Sequence, residues 1–135
     1  GVVLGVLNPD LEIHFMDINS RATELTKSNS EKYSLQSYVI YTGDYLKILE
    51  QNDILYDMIF FNPPIRLGKT IYLDHIAFAA HYLTKGGVMQ IVIKKKLGAE
   101  SAYNQLRKNL DDRFYDMNIV AKNSGYWVFS IQKTA

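Results

Sequence analysis

The chain has 135 residues, 47% of them apolar, with 15 basic and 14 acidic side chains for a net charge of +1. That length suits a single domain with a buried core, and so even a charge balance singles out neither a nucleic-acid nor a membrane partner. The lack of cysteine excludes disulfides, thiolate nucleophiles and zinc–thiolate sites and fits a reducing cytoplasm, while no apolar run is long enough to span a membrane.

The chain opens on Gly1-Val2-Val3-Leu4-Gly5-Val6-Leu7, apolar, with no initiator Met and no basic stretch ahead of it of the kind a signal peptide carries. Leu11–Met16 alternates and is β-prone, which predicts a strand. Asn19 or Ser20 then caps a helix running to about Ser30, with Ala22 and Leu25 turned inward. Ser37–Tyr41 is the next strand, ended by Thr42-Gly43-Asp44, and a short helix follows around Leu46–Glu50. Met58-Ile59-Phe60-Phe61 is a short apolar run of the kind buried on both faces of a parallel sheet, stopped by Pro63 and Pro64, which cannot donate to a ladder.

The period of Tyr72–Leu83 predicts a helix, closed by Gly86-Gly87. Val88–Ile93 is a buried strand, and Ala99–Leu110 a helix with Ala102, Tyr103, Leu106 and Leu110 as its inner stripe. Two strands finish the chain, Met117–Ala121 and Tyr126–Ile131, separated by Lys122-Asn123-Ser124-Gly125. So short a gap permits an antiparallel hairpin and forbids a parallel crossover. The expected fold class is α/β, a mostly parallel sheet in one domain, closed by a C-terminal antiparallel hairpin.

In an open parallel sheet, ligands bind outside the carboxyl ends of the strands. Four expected strands deliver polar groups there: Asp17; Gly43 and Asp44; Asn62 with the two prolines; and Lys94, Lys95 and Lys96. A carboxylate at Asp17 can accept hydrogen bonds from ribose hydroxyls, and a plain helix cap explains the residue equally well. Asp44 can accept from an adenine amino group while Tyr45 packs nearby, although a turn accounts for Asp44 too.

Asn62-Pro63-Pro64 is the most specific feature. An amine conjugated with a base ring is a poor nucleophile, because its lone pair is delocalised. Two acceptors that take its N–H hydrogens can pull the nitrogen towards tetrahedral geometry and aim the lone pair at a methyl donor. The Asn62 side-chain oxygen and the Pro63 carbonyl are candidates, with both prolines fixing the backbone. Such catalysis is positioning in a preorganised field and needs no metal. Asn-Pro and Pro-Pro also mark ordinary turns.

Phe61-Asn62-Pro63-Pro64-Ile65-Arg66-Leu67-Gly68-Lys69 resembles the Asn-Pro-Pro-Ile-Arg-x-Gly-Lys signature of the methyltransferase small domain family. Asp17-Ile18-Asn19 with Arg21-Ala22 is similar to that family's Asp-x-Asn-x-x-Ala, and Gly98-Ala99 and Gly125-Tyr126 to its later landmarks. The resemblance covers essentially the whole chain. It implies a Rossmann-like class I methyltransferase fold with S-adenosyl-L-methionine as cofactor. The implied reaction is transfer of a methyl group to an exocyclic base amine of RNA, guanine in ribosomal RNA.

It also implies that Asn62, Pro63 and Pro64 are catalytic, and that Gly1, Asp17, Ile18, Gly43, Asp44, Tyr45 and Asn62 hold the cofactor. Ile65, Arg66, Lys69 and Lys96 would meet the substrate. Family members carry an Asp-x-Gly-x-Gly-x-Gly turn after a first strand. Gly1-Val2-Val3-Leu4-Gly5 matches only its end, so a strand and a glycine-rich turn are expected upstream.

Gly68-Lys69-Thr70 echoes a phosphate-binding loop, but the glycine that motif needs five residues earlier is Pro63. A nicotinamide-dependent dehydrogenase would use Asp17 on a ribose too, yet gains nothing from Asn62-Pro63-Pro64 and does not end in a tight hairpin. His14, His75 and His81 show no ligand spacing. Tyr126-Trp127 is expected to pack in the core rather than to stack on bases. Lys94–Lys96, near Arg66 and Lys69, suits either a solvated strand end or RNA contact. The competing function is a non-catalytic RNA-binding or assembly module that retains the fold.

Overall fold

The computed structural model describes residues 7, 12–17, 19–34 and 37–135. They fall into two compact units, Gly1–Asn52 and Asp53–Ala135.

In the first unit, β1 (Ile13–Asp17) and β2 (Tyr38–Thr42) pair in parallel, with Asp17 opposite Thr42. The crossover helix α1 (Ser20–Lys32) starts at Asn19, whose side-chain oxygen accepts the Arg21 amide at 2.9 Å, as an N-cap should. The inner face of α1 differs from expectation. Leu25 is 63% exposed, whereas Thr23 and Ser30 are buried. These two sit inside because their hydroxyls are satisfied: Thr23 Oγ1 meets Ser20 O at 3.0 Å and Thr42 Oγ1 at 2.8 Å, and Ser30 Oγ donates to Thr26 O at 2.7 Å. Helix α2 (Tyr45–Asn52) closes the unit, with Leu49 buried.

The second unit holds a four-stranded sheet in the order β3 (Tyr56–Phe61), β4 (Leu83–Lys94), β6 (Tyr126–Lys133), β5 (Tyr115–Lys122). β3 and β4 run parallel, while β4–β6 and β5–β6 are antiparallel. The C-terminal hairpin is therefore present as expected. The description "mostly parallel" is corrected, because among the described strands the two antiparallel pairings equal the two parallel ones.

Helices α3 (Lys69–Ala80) and α4 (Ala99–Asn109) contribute Tyr72, Leu73, Ile76 and Ala102, Tyr103, Leu106 to the core. There they join Met89, Ile91 and Ile93 of β4 and Trp127, Phe129 and Ile131 of β6. Each large apolar side chain so buried stabilises the fold by roughly 1.5–3 kcal/mol relative to exposure. Tyr103, Trp127 and Phe129 form an edge-on aromatic cluster, with the Tyr103–Phe129 centroids 5.2 Å apart.

Two further expectations change. β3 is not buried on both faces, since Met58 is 49% and Phe60 58% exposed. Its alternate residues look towards opposite sides of the sheet, and only the side bearing Ile59 and Phe61 is the better covered one. Gly86-Gly87 does not close a helix either. α3 stops at Ala80, and both glycines lie within β4, where β4 advances from Leu83 to Val88 while β3 moves only from Tyr56 to Met58.

In that excursion a Cβ on Gly87 would lie 2.9 Å from the Thr84 carbonyl and 3.1 Å from the Asp57 carbonyl. Gly87→Ala should therefore destabilise the protein by about 1–3 kcal/mol, the usual cost of overpacking. A lower urea midpoint at unchanged m-value would be the signature; an unchanged midpoint would mean that the excursion yields freely.

Candidate functional site

In the first unit, parallel pairing brings the end of β1 beside the end of β2, and the Gly43 amide donates to the Asp17 carbonyl at 2.8 Å. Gly43 has φ +144°, a region that glycine reaches without strain, and a Cβ there would only touch Ile48 at 3.8 Å. Backbone conformation, not space, is what suits glycine to this turn.

The Asp17 Oδ1 accepts the Asn19 amide at 2.9 Å, and the Asp44 Oδ1 accepts the Leu46 amide at 3.0 Å. Each carboxylate thus shapes the entry to a helix with one oxygen and retains a second oxygen for a ligand hydroxyl or amine. Both residues are exposed, and Tyr45 follows as the half-buried first residue of α2. Gly1 and Ile18 lie outside the described residues.

In the second unit, β3 ends at Phe61 opposite Ile91 of β4. Pro63 is buried, and its carbonyl accepts the Ile65 amide at 2.9 Å across Pro64, whose φ of −76° and ψ of 74° are those of an inverse γ-turn. A 3-10 turn, Ile65–Leu67, leads through Gly68 into α3. The Pro63 carbonyl thus engages one lone pair within the turn, on a backbone fixed by two pyrrolidine rings. The Asn62 side chain is exposed and makes no hydrogen bond among the described residues.

Asn62 and Ile65 open into a groove of about 500 Å³ that continues past Phe60 and Val92 to Lys94 and Tyr126. Arg66, Lys69 and Lys96 are exposed and lie off its wall. Lys69 donates to the Ser101 hydroxyl, joining the first turn of α3 to α4. Sequence reasoning missed Phe60, Val92 and Tyr126 as groove residues. Strand alternation was the available signal, since Tyr126 and Trp127 must face opposite ways.

Residues 1–130 match the family described as Methyltransferase small domain. The chain belongs to that family. Among relatives of this methyltransferase small domain is the Bacillus subtilis (strain 168) protein YbxB, 33% identical over 124 residues, covering 92% of this chain and 59% of the relative. Ribosomal RNA small subunit methyltransferase C of Photorhabdus laumondii is 30% identical over 135 residues, covering 97% of this chain and 37% of the relative. The chain thus spans little more than half, and little more than a third, of these two relatives.

A Streptococcus mutans protein solved in complex with SAH superimposes with a TM-score of 0.71 at 16% identity, over 90% of this chain and 76% of that one. At that identity it is the fold that is shared: an α/β fold of the class I methyltransferase type with a mixed sheet. Among the described residues, no helix of the domain is long and apolar enough to cross a membrane.

Burial, and secondarily the Asp44 carboxylate, push the Tyr45 phenol up to about 12. Because the folded state holds this acid neutral, its contribution to stability is complete below the ordinary tyrosine value near 10. It is lost as pH rises from there to about 12. Phenolate absorbance should show Tyr45 among the late-ionising tyrosines, together with Tyr72 and Tyr115, whose phenols burial also raises, and Asp44→Asn should advance the Tyr45 share. A Tyr45→Phe protein with an unchanged titration curve would refute the assignment.

Proposed function

We propose that this chain is the methyl-transferring part of an S-adenosyl-L-methionine-dependent enzyme acting on an exocyclic base amine of RNA, guanine in ribosomal RNA. The observation that carries the proposal is Asn62: an exposed side-chain amide at the mouth of a groove, next to a turn held rigid by Pro63 and Pro64. Family membership and the named ribosomal RNA relative support the choice of reaction and substrate.

The cofactor residues fit the group chemically. Asp17 and Asp44 each retain a carboxylate oxygen after capping a helix entry, as ribose hydroxyls and an adenine amine require. Gly43 and Tyr45 would flank them, with Gly1 and Ile18 completing the set. S-adenosyl-L-methionine, when bound, supplies a methyl group on a positively charged sulfur.

The chain's own part is positioning. The Asn62 side-chain oxygen and the Pro63 carbonyl would accept the two N–H hydrogens of the amine and localise its lone pair. Ile65 would pack against the base, while Arg66, Lys69 and Lys96 would lie along the phosphates outside the groove. No reorganisation is required of the prolines, so the Pro63 carbonyl would be in place before the substrate arrives, and the Asn62 side chain would have only to turn onto the amine.

Asn62→Ala in the full-length protein should lower the single-turnover rate on ribosomal RNA by on the order of 100-fold, the scale of a misplaced reactant, while cofactor affinity changes little. Methylation at the wild-type rate would reduce Asn62-Pro63-Pro64 to a turn, whereas RNA binding without any transfer by the wild type would favour a non-catalytic RNA-binding module. Asp17→Ala should do the opposite, weakening cofactor binding by roughly 1.5–3 kcal/mol, the worth of hydrogen bonds to a charged group. Unchanged calorimetric affinity in a folded variant would remove Asp17 from the cofactor site.

A further inference from the structure

Tyr126 begins β6 opposite Lys94, and Trp127 follows opposite Ile93. The two aromatics have different fates. Trp127 is 4% exposed within the aromatic core, while Tyr126 is 44% exposed. The Tyr126 ring touches no other ring among the described residues, and it lines the groove that contains Asn62.

Its backbone is tightly held. The Asn123 carboxamide oxygen accepts the Gly125 amide at 2.9 Å and the Tyr126 amide at 2.8 Å, and the Asn123 amide donates to the Tyr126 carbonyl at 3.0 Å. The Lys95 amide also donates to the Gly125 carbonyl, at 2.9 Å. A flat ring on so rigid a turn loses little conformational entropy when it engages a ligand.

The surroundings specify what that ligand is. Val92 and Leu97 supply an apolar floor and Lys94 a cationic rim, from which Lys95 and Lys96 continue outside the groove. Neither Lys94–Gly98 nor Lys122–Tyr126 contains an acidic residue. An exposed aromatic face, apolar floor and cationic rim together match a nucleobase that carries its phosphate.

Strand spacing and stagger set this ring apart from Asn62. β4 separates β3 from β6, so two inter-strand steps set their backbones roughly 10 Å apart. Tyr126 also lies opposite Lys94, three residues along β4 from Ile91, the partner of Phe61, which adds roughly 10 Å between Phe61 and Tyr126 along the strand direction. We propose that Tyr126 is a stacking platform for a second nucleobase of a single-stranded RNA, the neighbour of the base presented to Asn62. The assignment rests on the function proposed above, and makes Tyr126 a positioning residue that fixes the strand's register.

The test is fluorescence anisotropy of a labelled single-stranded RNA heptamer on the full-length protein, alongside single-turnover methylation. Tyr126→Ala should weaken binding by on the order of tenfold, and Tyr126→Phe should stay within about twofold because stacking uses the ring and not the hydroxyl. The salt dependence should keep its slope, since no phosphate contact is removed. An abasic strand of equal length should bind both proteins alike.

Equal heptamer affinity for wild type and Tyr126→Ala, each shown to be folded by its melting curve, would overturn the platform. So would a Tyr126→Phe loss as large as that of alanine, or the same loss on the abasic strand. If the heptamer depends on Tyr126 but the wild type transfers no methyl group, the platform stands and the enzymatic reading fails. If methylation proceeds and Tyr126→Ala changes neither binding nor rate, the reverse holds.

Discussion

Strand β4 is hydrogen-bonded along both edges, in parallel by β3 and in antiparallel by β6, and the geometry of the second unit follows from that double constraint. The pair Phe61–Ile91 sets the level at which β3 gives way to the Asn62 turn, and the pair Lys94–Tyr126 sets the level at which the hairpin begins. The two ends of the groove are thereby registered to one strand. A slip of one residue in the β4–β6 pairing would exchange the two faces of β6, exposing Phe129 and Ile131 and burying Tyr126. The core itself, through Met89, Ile91 and Ile93, resists that slip.

The two groups of site residues are built differently. In the first unit, carboxylates shape their own turns: Asp17 and Asp44 each spend one oxygen on a backbone amide two residues ahead. Their placement is bound to helix initiation, so a substitution there touches folding as well as any ligand. In the second unit, Pro63 and Pro64 set the backbone and leave the Asn62 side chain exposed. Scaffold and functional group are separate residues at that point, and Asn62 can be altered at little cost to the fold.

Local chemistry made much of this legible in the sequence. Asn19 carries a capping oxygen and sits as a cap; Pro63 and Pro64 end a strand because neither can extend a ladder; a short polar gap produced an antiparallel hairpin. What could not be read from local pattern depended on partners remote in sequence. Gly86-Gly87 had the composition of a helix stop, but pairing with β3 drew the segment into β4. Thr23 and Ser30 outranked Leu25 for the inside of α1 because acceptors on the helix itself and on Thr42 were waiting. Within the site, Asn62 and Ile65 do line the groove, whereas Arg66, Lys69 and Lys96 stand outside it. Side-chain type had suggested a contact whose position only the turn geometry could define.

Trp127 is the only tryptophan in the chain. Its indole nitrogen meets no acceptor among the described residues, and the Lys122 ammonium lies 4.3 Å from the ring centroid. It is covalently adjacent to Tyr126 yet faces the other side of the sheet, shielded from the groove. Nature has thus provided a spectroscopic reporter that senses the state of the core without being touched by what the groove holds. Steady indole emission during a ligand titration would mean that the sheet accommodates its guest as a rigid body. A shift in that emission would mean that occupancy is transmitted through the thickness of a single strand.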